Sequence, residues 1–204
     1  MKINIRLQSA ACAAFALGLS LLPLHARANG LIGSSVTGSL YFSGNPDNYF
    51  DPANGYVPSS GYENTSGTTV TISAPAVEFG FADSSNTDLA NFSAMQFTLE
   101  DVLSSTAGGS DNPWTMTFTD TAFTGMSFAQ VSDFFPNGGL TGSLTGDVFT
   151  ASWAGGPIHA NDDYTSTFTV ALVPEPATSA AVLVGAAGLA LVLRRKGRAA
   201  ALRS

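Results

Sequence analysis

Met95-Gln96-Phe97-Thr98-Leu99-Glu100 alternates apolar and polar side chains without a break. Successive side chains of an extended strand point to opposite faces, so Met95, Phe97 and Leu99 share one side and Gln96, Thr98 and Glu100 the other. A helix would space its apolar residues three and four apart instead. The same period of two recurs outward in both directions. Val36, Leu40 and Phe42 share a face, and Val70 and Ile72 alternate with Thr71 and Ser73. Val77, Phe79 and Phe81 form a further stripe, although Ala76, Gly80 and Ala82 opposite leave its second face ambiguous. Met116 and Phe118 sit among Thr115, Thr117 and Thr119, then Phe149, Ala151 and Trp153 follow, and Phe168, Val170 and Leu172 complete the series. Turn-forming clusters separate the runs, among them Gly44-Asn45-Pro46-Asp47, Asn54-Gly55, Gly108-Gly109-Ser110-Asp111 and Asn137-Gly138-Gly139. Gly146-Asp147 between two short runs predicts a tight hairpin.

Eight or nine strands over residues 29–172 predict an all-β antiparallel sandwich, jelly-roll or immunoglobulin-like. An outer-membrane barrel is the rival, but its strands need about 9–11 residues each. These runs are mostly shorter, and an apolar segment near the C-terminus would have no place in a barrel.

Charged residues are only 11% of the 204, against about 25% in an ordinary soluble protein. They are also segregated. Lys2, Arg6 and Arg27 lie at the start, and Arg194, Arg195, Lys196, Arg198 and Arg203 at the end. No Lys or Arg falls between Arg27 and Arg194, whereas fourteen of the fifteen acids lie between residues 29 and 173. The body is therefore far more negative than the net −7 of the whole chain. Such a body repels phosphate backbones, which excludes nucleic acid as a partner. Without basic partners a buried carboxylate is costly, so nearly all the acids are expected at the surface.

The two ends read as addresses. Lys2 and Arg6 precede an apolar run from Ala10 to Leu22, Pro23 breaks it, and Ala26-Arg27-Ala28 follows. That order predicts a secretory signal peptide over residues 1–28, cut after Ala28 to leave Asn29 first. Cys12, the one cysteine, lies inside that run and lacks a lipoprotein box, so the mature chain would use no disulfide. At the other end, Val173-Pro174-Glu175-Pro176 precedes an apolar segment, 177–193, and a basic cluster, 194–198. At 1.5 Å rise per residue the segment reaches about 25 Å, the short end of a transmembrane helix. The cluster of Arg194, Arg195, Lys196 and Arg198 would stay cytoplasmic and leave the body outside the inner membrane. Residues 199–204 form a short tail.

Residues 173–198 resemble the PEP-CTERM protein-sorting signal in the order of their parts. Val173 to Pro176 match its motif, 177–193 its helix, and Arg194 to Lys196 its basic cluster. The resemblance implies a Gram-negative bacterium that makes extracellular polysaccharide. It also implies recognition by an exosortase, a membrane-embedded cysteine transpeptidase that cuts near the motif. The chain would be that enzyme's substrate, transiently anchored and then delivered to the cell surface or matrix. The middle domain, especially the stretch from Tyr49 to Gly55, also resembles uncharacterised β domains of such proteins, a resemblance that brings no activity with it.

Chemistry is sparse in the body. It holds one histidine, His159, and no cysteine, too few ligands for zinc. Gly125-Met126-Ser127-Phe128-Ala129 comes nearest to a nucleophile elbow and lacks the final Gly. A carboxylate-pair glycosidase stays formally open, with Glu63, Glu78, Glu100 and many Asp to choose from. Oxygen-rich groups suit calcium better than zinc: Asp47, Asn48, Asp51 and Asn54; Asp83, Asn86 and Asp88; Asp162 and Asp163. None fits an EF-hand loop, and such residues also favour turns, so no metal ligand set is assigned. Four of five tyrosines lie between Tyr41 and Tyr62. Tyr49, Asp51, Asn54 and Tyr56 would suit a sugar, unless the loop folds back and buries its aromatics. The reading is a non-enzymatic, exported protein associated with exopolysaccharide or biofilm. A secreted carbohydrate-binding module is the alternative, and a secreted polysaccharide hydrolase the second.

Overall fold

The alternating runs pair into two antiparallel sheets. The computed structural model describes residues 30–105 and 107–173. The expected signal peptide with Ala26, Ala28 and Asn29, the expected motif residues Pro174, Glu175 and Pro176, the apolar segment 177–193, the basic cluster 194–198 and the tail lie outside the described residues. Among the described residues no helix is long and apolar enough to cross a membrane.

Twelve strands follow in chain order: β1 (Ser35–Phe42), β2 (Thr69–Thr71), β3 (Phe79–Ala82), β4 (Asn86–Phe92), β5 (Gln96–Leu103), β6 (Gly109–Asp111), β7 (Trp114–Thr119), β8 (Met126–Asp133), β9 (Leu140–Thr145), β10 (Val148–Trp153), β11 (Gly156–Ile158) and β12 (Asp163–Leu172). One five-stranded sheet has the order β2-β1-β7-β10-β9, the other β3-β4-β5-β12-β8, and β6 pairs with β11 in a small ribbon. All of these pairings are antiparallel. The expected Gly146-Asp147 hairpin joins β9 to β10, with Val148 opposite Thr145. Gly146 takes φ 64°, a value that primed two-residue turns require and that glycine adopts without strain.

The sheets face each other across an aromatic core, a sandwich-like arrangement. Phe79 of β3 meets Phe118 of β7 at 5.5 Å between ring centres, and Phe97 of β5 meets Phe149 of β10 at 4.7 Å. Phe97 also stacks on Phe168 of β12 at 5.0 Å. Each such ring contributes about 1.5–3 kcal/mol by leaving water. Gly38 interrupts the apolar stripe of β1 for a steric reason: a Cβ there would lie 2.5 Å from the Phe79 ring. The outward side of the first sheet is a field of hydroxyls. Thr115, Thr117 and Thr119 of β7 lie beside Thr37 and Ser39 of β1 on one flank, and beside Thr150 and Ser152 of β10 on the other. Thr141, Ser143 and Thr145 of β9 extend it. No carboxylate lies on these ladders.

Three expectations change. Met95 is 52% exposed. The chain turns there, with Ser93 N donating to Gln96 O at 2.7 Å, and the strand starts at Gln96. Strands β4 and β8 exist where no apolar alternation announced them. And some acids are inside: Glu78, Asp88, Asp101 and Asp120 are buried. Two of these are held by backbone N–H groups in place of the absent Lys and Arg. Glu78 accepts from Phe92 N at 2.8 Å and Ser73 N at 3.1 Å. Asp120 accepts from Ala122 N at 2.8 Å, capping the 3-10 turn Thr121–Phe123, and also from the Ser34 hydroxyl. The other two define the site below.

Candidate functional site

Strand β5 carries its inward face through Phe97, Leu99, Asp101 and Leu103, all buried. Strand β4 does the same through Asn86, Asp88, Ala90 and Phe92. Their register sets Asp88 directly opposite Asp101. Two like charges so placed repel, and here both face the interior. Asp111, at the end of β6, brings a third carboxylate near enough for its charge to act on both. Asn86 Nδ2 donates to Asp88 Oδ2 at 3.3 Å. Asp111 Oδ1 accepts from Asn112 N at 2.8 Å. Asp88 Oδ1, both oxygens of Asp101, and Asp111 Oδ2 are buried without a hydrogen-bond partner, as is Trp114 Nε1.

Electrostatics records the strain. Burial pushes Asp101 up to about 7, helped by the charge of Asp111 and opposed by Asn86. Burial also lifts Asp88 well above the carboxylate range, with Asp101, Asp111 and Asp83 adding to it. Asp111 is raised, again chiefly by burial. Burial without a counter-charge favours the neutral acid, which is the sign seen at all three.

The tyrosine loop is arranged differently from a sugar platform. Tyr49 folds inward and meets Phe42 at 5.0 Å, Phe81 at 5.1 Å and Tyr56 at 4.8 Å. Its hydroxyl accepts from Asn45 Nδ2. Phe50 beside it is fully buried. Asp51 spends its Oδ1 on Ala53 N at 2.9 Å, capping the 3-10 turn Pro52–Asn54, and Asn54 Nδ2 donates to Asn48 O at 2.7 Å. The structure thus joins Tyr49 to Tyr56 and uses Asp51 and Asn54 to shape the turn. Tyr56 keeps a 38% exposed side chain. Nearby, Tyr41, Phe42, Ser43, Pro113, Trp114, Thr115, Ser152 and Trp153 line an open groove of about 390 Å³.

The oxygen-rich groups named from sequence are largely occupied. Asn48 Oδ1 accepts from Leu40 N and Phe50 N, and Asp83 Oδ1 from Ser85 N and Asn86 N. Asp162 Oδ2 accepts from the Tyr164 hydroxyl at 2.7 Å and lies 3.3 Å from His159 Nδ1. His159 itself is an 80% exposed loop residue. Among the described residues no three His, Cys, Asp or Glu side chains form a ready-made metal cluster. Sequence reasoning caught Asp88 and Asn86 but missed Asp101 and Asp111. The signal for Asp101 was present: extending the Phe97-Leu99 parity by one step puts it on the apolar face. Val173, the first residue of the expected sorting motif, is 49% exposed, and its N–H donates to Gly125 O at 2.8 Å.

Comparison of the chain with protein-family models, curated proteins and solved structures finds no match.

Proposed function

We propose that this chain is an exported, non-enzymatic protein of the cell surface or extracellular matrix, handed to an exosortase by residues 173–198. The observation that carries the reading is the order of parts in that segment: a Pro-Glu-Pro stretch, a short apolar run and a basic cluster. The fold is compatible with it in one respect. Strand β12 ends at Leu172 and Val173 is half exposed, so the chain leaves the body at the surface just before Pro174. A protease or transpeptidase needs such an accessible backbone. Within the sandwich we favour a jelly-roll-like arrangement, because the chain changes sheet between β2 and β3, β7 and β8, and β8 and β9, and again from β5 to β7 and from β10 to β12 by way of the ribbon strands β6 and β11.

Intact-mass measurement on protein recovered from cell surface and medium tests the reading. The expected species begins at Asn29 and has lost 177–204, with or without a covalent adduct. A product that keeps residues 177–204 overturns it.

A second reading, polysaccharide binding, draws on the part-exposed Tyr56, whose ring leans on Tyr49 at 4.8 Å and 35°. Tyr56→Ala should weaken binding on a glycan array. Tyr49→Ala is not a clean test, since Tyr49 packs on three rings.

A further inference from the structure

The body has a charge problem that its own side chains cannot solve. Asp88 and Asp101 are fully buried, opposed across β4 and β5, and joined by Asp111 from the β6–β11 ribbon. Four of their six oxygens lack a partner. Asp83 and Asp163 add further negative charge nearby. No Lys or Arg exists between Arg27 and Arg194, and His159 is exposed and engaged with Asp162. What neutralises these acids must come from solution.

Carboxylate and amide oxygens are hard donors, which select a hard cation and disfavour zinc or copper. The three carboxylates come from different strands, and among the described residues no three His, Cys, Asp or Glu side chains are grouped closely enough to hold an ion by themselves, so the remaining ligands would be carbonyls and waters. Magnesium demands near-ideal octahedral geometry, whereas calcium accepts six to eight oxygens, including waters and carbonyls, in irregular settings. The ribbon that carries Asp111 is closely packed on its partner side: a Cβ on Gly155 would lie 2.6 Å from Asp111 O, and one on Gly156 would lie 2.2 Å from Asn137 Nδ2.

We propose that Asp88, Asp101 and Asp111, with Asn86 beside them, bind one calcium ion inside one end of the sandwich. The ion takes up the orphaned oxygens and pins the β6–β11 ribbon to β4 and β5. This is a structural site within the body, and it does not depend on the sorting reading.

Full-length chain purified in detergent, stripped with chelator and dialysed, is titrated with calcium chloride by calorimetry, with melting followed in parallel. One calcium per chain and a rise in Tm are expected. Asp88→Asn and Asp101→Asn should each weaken binding at least tenfold, while Asp47→Asn at an exposed turn leaves it unchanged. Near-UV circular dichroism confirms that the Asn variants, which keep shape and remove charge, are folded. Absence of calcium binding by the folded wild-type chain overturns the proposal. So does equal binding in the Asn variants, or an equal response to magnesium or to sodium at matched ionic strength. A pair that simply holds protons would give the first of these results.

Discussion

Asn64 illustrates how one side chain can hold a loop that sequence leaves open. It is fully buried, its Nδ2 donates to Phe50 O at 3.0 Å and Gly80 O at 3.2 Å, and its Oδ1 accepts from Gly80 N at 3.1 Å. It thus stitches the tyrosine loop to β3 through backbone groups alone. Asn64→Ala orphans three backbone groups, each worth about 1–3 kcal/mol when buried. A loss of at least ~2–3 kcal/mol in urea unfolding is expected. Glu78 makes a second prediction at this scale. Burial raises it above its ordinary value although backbone N–H groups oppose the shift. A raised carboxylate stabilises the fold fully below its unfolded value and loses that contribution as pH rises through the folded one. Glu78→Gln removes this titration. Wild-type stability measured against the variant should therefore fall as pH rises from below the usual carboxylate value toward neutrality, read from paired denaturant titrations.

Among the elements, β5 and β7 were legible because every inward position from Phe97 to Leu99 and from Trp114 to Phe118 is apolar. Strand β4 was hidden by the same rule. Its inward positions begin with Asn86 and Asp88, so the period of two is real but half its signal is polar. Strand β8 sits at a sheet edge with Val131 exposed, and an edge strand has little burial to pattern it. Asp101 was misplaced by an energetic argument that is sound in general: an unpaired acid is expected outside. The tyrosine loop was unreadable because Tyr49 is fixed by Phe42 and Phe81, which are remote or ambiguous in sequence. Two predictions belong here. Phe97→Ala, at the junction of rings from both sheets, should cost about 3–5 kcal/mol. Gly38→Ala should cost about 1–3 kcal/mol, because the Phe79 ring must move to admit a methyl. Thermal or denaturant unfolding measures both.

Across the whole molecule, the distribution of charge is the dominant fact, and the sequence displays it plainly. Trypsin cuts after Lys and Arg, so even the urea-unfolded body should survive as one fragment from residue 28 to residue 194. A protease that cuts after Glu should break it at Glu63, Glu78 and Glu100. Gel analysis of the two digests distinguishes absence of sites from resistance of the fold. The hydroxyl ladders on the outward side of the first sheet add an asymmetry to this charge. Glu100, Asp163 and Asp133 belong to the second sheet, and Asp47, Asp51 and Asp83 to loops. The outward face of the first sheet is thus an uncharged plate, bordered by Asp147 in the turn between β9 and β10. A negatively charged gel would push such a particle around until that plate faced it, giving the molecule a preferred posture without any specific contact.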